Sequence, residues 1–168
     1  ARINTVFSGT KMTWVRRNAP EIYAKTNKFC TIADFITHEI TGEYRTDHTY
    51  GSRSLLMNVR TRQWDPKLLD IFEIEADKLC ELRETGTVIG TVTDEFAAKT
   101  GLAAGTPFVS AGGDQQCAAL GHGVTAPGSL EITTGTGAFM LGYSEKVPDN
   151  LTNNIICGAH AIPGKYVL

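Results

Sequence analysis

The sequence has no long apolar run, no closely paired cysteines and almost no excess of charge. No stretch approaches the ~20 apolar residues that a bilayer-crossing helix needs, and no basic segment followed by an apolar one opens the chain. A membrane span and a secretory leader are therefore not signalled. Net charge is only -2, with acids and bases interspersed, so the basic footprint of a nucleic-acid binder or polybasic membrane anchor is missing. The four cysteines, Cys30, Cys80, Cys117 and Cys157, form no C-x-x-C pair. Neither a zinc site nor a disulfide framework is indicated, and free thiols in a reducing, cytoplasmic compartment fit the pattern. His38, His48, His122 and His160 have no spacing that puts two on one helical face, so no metal ligand set is expected. The phosphate-binding string G-x-x-x-x-G-K-[ST] is absent too, which excludes a P-loop within these residues.

What is present is an ordinary globular composition. The 168 residues, 42% hydrophobic and 20% charged, allow one main domain with its own core. Helices are predicted over Thr10–Asn18, over Glu21–Lys25 after the break at Pro20, and over Asp34–Thr41, where Phe35, Ile36 and Ile40 recur at helical spacing before Gly42. Asp65-Pro66 is a helix start, and Thr93 caps a further helix that Gly101 ends. Strands are expected at Lys28–Ile32, Leu55–Val59, Val88–Val92 and Phe108–Ala111, and Leu130–Thr133 with Ala138–Leu141 reads as a hairpin. Interleaved strands and helices make the fold class α/β or α+β. The chain starts at Ala1 and stops at Tyr166-Val167-Leu168 in what reads as a strand, so both ends are expected to be cut.

Two segments could carry chemistry. Phe108-Val109-Ser110-Ala111-Gly112-Gly113-Asp114-Gln115-Gln116 puts an acid just past a buried strand, where two glycines let the backbone turn and a ligand approach. Asp114 there suits a general base for a hydroxyl nucleophile, and equally a cap for the helix that follows. The loop Thr133-Thr134-Gly135-Thr136-Gly137 offers unobstructed N–H groups that wrap phosphate oxygens, or simply turns a hairpin. Gly121-His122-Gly123-Val124-Thr125-Ala126 matches G-x-G-x-x-A as a string, but it follows a helix and runs into Pro127, so it reads as a loop.

In order, Ser8-Gly9-Thr10-Lys11, Trp64-Asp65-Pro66, Gly113-Asp114-Gln115-Gln116 followed by Ala118-Ala119-Leu120-Gly121, and Thr134-Gly135-Thr136-Gly137 resemble the FGGY carbohydrate kinases. The resemblance covers nearly the whole chain. It implies a ribonuclease H-like, actin/hexokinase-type fold in which sugar and ATP meet between two domains. By that likeness residues 1–145 are the latter part of the sugar-binding domain, and 146–168 cross toward the ATP-binding domain. It also implies Asp114 as catalytic base, Gln115 as a contact to a sugar hydroxyl, and Gly135 with Thr136 as the loop holding ATP phosphates, with Mg²⁺ neutralising their charge. The implied partner is a small-molecule sugar, with no nucleic acid and no membrane, and a homodimer is compatible. Val6 stands where glycerol kinases have a tyrosine, whereas Cys157-Gly158-Ala159-His160-Ala161-Ile162-Pro163 resembles xylulose kinases, so a ketopentose comes first. Glycerol, another polyol or sugar, or a non-catalytic sugar-binding domain are the alternatives. The family's N-terminal phosphate loop and adenine-binding glycine loop are not among these residues, so the segment alone is expected to be inactive.

Overall fold

Helices open the chain in the computed structural model, which describes residues 3–135, 137–152 and 154–168. Helix α1 spans Ser8–Asn18 and α2 spans Pro20–Lys25, with Pro20 at the first helical position. Helix α3, Ile32–Thr41, begins on a reciprocal cap in which Thr31 accepts from the Asp34 N–H while the Asp34 carboxylate accepts from the Thr31 N–H. It ends at Gly42, whose φ of 74° is the left-handed conformation that glycine adopts without strain. The expected strand at Lys28–Ile32 is not formed. Only Phe29 makes a parallel bridge, to Leu79, because the cap at Thr31 draws Ile32 into the helix.

The burial of α3 runs against its apolar spacing. Phe35 and Ile36 are exposed, whereas Asp34, Thr37 and Thr41 are buried. The hydroxyls of Thr37 and Thr41 donate to the carbonyls one turn back, which makes their burial inexpensive. Gly90 lies so close to Thr41 that an added Cβ would sit 2.6 Å from it.

Strand β1, Arg45–Asp47, pairs in parallel with β4, Glu81–Arg83, and is followed at once by the single-turn helix α4, His48–Gly51. Between them come the short pair β2, Met57–Asn58, and β3, Gln63–Trp64, helix α5, Pro66–Phe72, capped by Asp65, and a 3₁₀ turn at Ala76–Lys78. The strand expected over Leu55–Val59 thus shrinks to two residues, with Leu55 at a φ of 67°. Strand β5, Val88–Thr91, and β6, Pro107–Val109, pair antiparallel around helix α6, Asp94–Thr100, which Thr93 caps as expected. Helix α7, Asp114–Gly121, leads to a four-stranded antiparallel sheet. Its strands are β7, Leu130–Thr134, β8, Ala138–Ser144, β9, Gly158–Ala159, and β10, Tyr166–Val167, in the order β7-β8-β10-β9.

Two apolar clusters hold these elements. Tyr23, Leu56, Leu69, Phe72, Ile74 and Leu79 pack under α1, α2 and α5, and Ala119, Val124, Leu141 and Val167 pin α7 to the last sheet. The space between α4, α7 and that sheet is left open.

Candidate active site

The site is built on the end of β1. Asp47, 1% exposed, accepts from the N–H groups of Thr49 (2.7 Å) and Tyr50 (3.4 Å), from the hydroxyls of Thr49 and Thr85, and from the Ser110 hydroxyl just beyond β6. A buried carboxylate costs several kcal/mol unless its lone pairs are met, and here several donors from three segments meet them. The Thr49 oxygen in turn accepts from the Gly113 N–H at 2.8 Å. This relay, Gly113 to Thr49 to Asp47, holds the turn from β6 into α7.

The first glycine of that turn is required by its backbone and its neighbours. Gly112 has a φ of 108°, and a Cβ there would lie 3.1–3.2 Å from methyl carbons of Thr85 and Thr49. A Cβ on Gly113 would approach the Gln116 side-chain oxygen to 2.7 Å. The chain therefore passes tightly beneath Thr49 and Thr85 and presents Asp114 as the first residue of α7, with Gly113 as the N-cap residue. The alternative role of Asp114 as side-chain cap is not realised as expected, since it lies inside the helix and, among the described residues, its Oδ1 accepts only from the neighbouring Gln115 N–H, at 2.8 Å.

Asp114 and Gln115 line a cavity of about 680 Å³ together with Thr49, Tyr50 and Arg53 from the α4 region and residues 138–142 of β8. Asp114 is exposed to it, whereas the Gln115 side-chain oxygen is buried and has no hydrogen-bond partner among the described residues. Burial pushes the Tyr50 hydroxyl pKa up, and the nearby Asp47 and Asp114 carboxylates add to it, so this phenol remains a donor at neutral pH. Leu130, Phe139, Met140 and Ile155 make the opposite wall apolar. An apolar enclosure with a few convergent polar groups suits a small polar ligand.

Gly135 lies at the tip joining β7 to β8 and is exposed, as a phosphate loop would need. It does not line the cavity, and its N–H donates across the tip to the Gly137 carbonyl at 2.8 Å. Thr136 lies outside the described residues. Among the described residues no three His, Cys, Asp or Glu side chains gather as a metal site, and no helix is long and apolar enough to cross a membrane.

Sequence reasoning did not find Asp47, Thr49, Tyr50 or Arg53. Their only local signal was the Asx-turn pattern of Asp47-His48-Thr49, a carboxylate two residues before a threonine. His160, which the tail motif singled out, is 1% exposed and structural. Its Nε2–H donates to the Val124 carbonyl and its Nδ1 accepts from the Ile162 N–H, both at 2.9 Å.

Comparison with known proteins gives a consistent result. The N-terminal domain of the FGGY family of carbohydrate kinases matches residues 1–121. An autoinducer-2 kinase of Klebsiella pneumoniae is 34% identical over 154 residues, which are 92% of this chain and 29% of that protein. A glycerol kinase of Thermococcus kodakarensis is 35% identical over 159 residues, 90% of this chain and 31% of that protein. Among solved structures, xylulose kinase from Rhodospirillum rubrum superposes with a TM-score of 0.87 at 24% identity, covering 96% of this chain and 33% of that one. Plasmodium falciparum glycerol kinase with ADP gives 0.86 at 32% identity, covering 98% and 34%. The fold is thus the ribonuclease H-like, actin/hexokinase-type α/β fold of these kinases. The chain spans about a third of the length of the relatives it matches.

Proposed function

This chain belongs to the FGGY family of carbohydrate kinases, and from that premise we propose that it forms the acceptor side of an ATP-dependent phosphotransferase whose substrate is a ketopentose such as xylulose. The observation that carries the reading is that Asp114 and Gln115, the first two residues of α7, line one cavity with Asp114 exposed to it. A carboxylate accepts hydrogen bonds and a side-chain amide both donates and accepts, so the two side chains together suit a sugar hydroxyl entering the cavity. Asp114 then accepts the proton of the attacking hydroxyl as its oxygen bonds to the terminal phosphorus of ATP and the bond to ADP breaks. Gly135 and Thr136 hold phosphate oxygens in this reading, for which the Gly135 N–H exchanges the Gly137 carbonyl for phosphate. A single exposed carboxylate on the cavity fits Mg²⁺ carried by nucleotide phosphates better than a dedicated protein cage, and the ion when bound neutralises phosphate charge.

Residues 1–145 belong, on this proposal, to the latter part of the sugar-binding domain, and 146–168 lead toward the ATP-binding domain. The sheet β7-β8-β10-β9 spans that division, so the crossing begins with strands that pair back onto β8.

Val6, exposed where glycerol kinases carry a tyrosine, supports a ketopentose over glycerol. The 35% and 32% identities to glycerol kinases keep a polyol as the second reading. Retention of Asp114 and the Gly135 hairpin speaks against a binding-only domain. Coupled assays of ADP release by the full-length protein with xylulose, glycerol, gluconate and autoinducer-2 separate these readings. The highest kcat/KM is expected for xylulose. A higher value for any other acceptor reassigns the substrate, and tight sugar binding without turnover makes the protein non-catalytic.

A further inference from the structure

Cys30 and Cys80 lie 50 residues apart in sequence, yet their sulfurs are 3.7 Å apart. The parallel bridge between Phe29 and Leu79 sets them side by side, since each is the next residue in register, and the Phe29 N–H is tied to the Lys78 carbonyl at 2.8 Å. Cys30 is exposed and Cys80 is buried. An accessible thiol beside a shielded one is the arrangement in which one sulfur is attacked or attacks first and the other resolves the product. A disulfide bond is about 2 Å long, so closure needs a shift of less than 2 Å between segments already hydrogen-bonded to each other.

We propose that Cys30 and Cys80 form an oxidisable dithiol that a small disulfide oxidant, of the oxidised glutathione type, converts to an intramolecular disulfide. The Cys30 thiolate attacks one sulfur of the oxidant, giving a mixed disulfide and one released thiolate. Cys80, as its thiolate, then attacks the Cys30 sulfur, forming the Cys30–Cys80 bond and releasing the second oxidant thiolate. Two electrons pass to the oxidant, and the two cysteine protons end on its two thiols. The link would fasten the segment entering α3 to the segment entering β4.

The surroundings set the rate. Burial pushes both thiol pKa values up, and the Asp34 carboxylate adds to this, while the Lys28 ammonium opposes it and the Cys80 thiol's hydrogen bond helps the Cys30 thiolate. The reaction is therefore slow near neutrality and quickens as pH rises through the thiol range.

The test treats the folded protein with oxidised glutathione at pH 7 and pH 9, with Cys117 and Cys157 replaced by serine. The expected result is loss of two titratable thiols and two hydrogens of mass, faster at pH 9. A Cys30–Cys80 peptide pair should appear on proteolysis, and dithiothreitol should reverse it. Cys30→Ser, at an exposed position that leaves the core intact, should abolish the linked pair. A stable glutathione adduct on Cys30 with Cys80 still reduced, or no loss of thiols at pH 9, overturns the proposal.

Discussion

Asp114 sits inside the first turn of α7 rather than at its cap, so its substitution by asparagine removes basicity and leaves the helix start to Gly113. On the proposed kinase function, Asp114→Asn in the full-length protein is expected to lower kcat by ~10² or more with little change in sugar affinity, measured by steady-state kinetics and sugar titration. Near-normal turnover would reduce Asp114 to a surface residue. Thr49 acts one step back, as a positioning residue, by accepting from Gly113 N–H and donating to Asp47. Thr49→Val keeps the shape but leaves that N–H and the carboxylate short of a partner, at about 1–3 kcal/mol. It should lower the thermal midpoint and kcat together, and Thr49→Ser should restore both. A valine variant as active as the parent would show that the relay does not place Asp114. Two glycines before an acid are the local signal that pointed to Asp114, whereas Gln115 was pointed to only by the family resemblance, and both line the cavity. Thr49 and Asp47 gave no comparable signal, because their role exists only once segments more than 60 residues apart meet.

At the scale of elements, helices were legible where chemistry at their ends is local. Thr93, Asp65-Pro66, Gly42 and Gly101 marked boundaries that the structure keeps. The short strands β1 and β4 were not legible, since three residues carry too little alternation and their pairing is parallel and distant. The apolar spacing of α3 misled in another way. Its inward face is made of threonines satisfied by their own helix, so periodicity of apolar residues marked the exposed side. The cap of α3 then matters more than its outer face. Thr31→Ala removes half of the reciprocal cap and is expected to cost about 0.5–2 kcal/mol in urea unfolding. Phe35→Ala, at an exposed position, should cost less than Thr31→Ala, and the reverse order would mean that α3 buries its apolar face in solution. Gly9→Ala tests a close approach instead, because the new Cβ would fall 2.6 Å from the Ser54 backbone carbonyl. A destabilisation of about 1–3 kcal/mol is expected, and a neutral effect would show that α1 can move away from that strand-free loop.

At the scale of the whole molecule, the cavity joins α4, α7 and the last sheet, and the tail just beyond β9 is tied down by the buried His160. Burial lowers the pKa of His160, and its Nδ1, which accepts from Ile162 N–H, cannot take a proton without losing that bond. His48 is lowered as well, first by burial and then by the Arg62 guanidinium, against the pull of Glu84 and Asp47. In the unfolded chain both titrate near 6.5. Below that pH the unfolded state binds more protons than the folded one, so stability falls as pH drops, by up to about 1.4 kcal/mol per pH unit for each histidine. The contribution is fully present above the unfolded value and is lost as pH falls through the depressed folded value. Asp34 works in the opposite sense, because burial raises its folded pKa and acidification through the carboxylate range favours the folded state. Urea unfolding midpoints should therefore be lower at pH 5.5 than at pH 7.5. His160→Gln, which retains a donor and an acceptor without a proton to gain, should flatten the slope, and Asp34→Asn should leave the histidine part of it in place. An unchanged slope in His160→Gln would mean that the tail carrying β9 and β10 does not couple protonation to the stability of the whole chain.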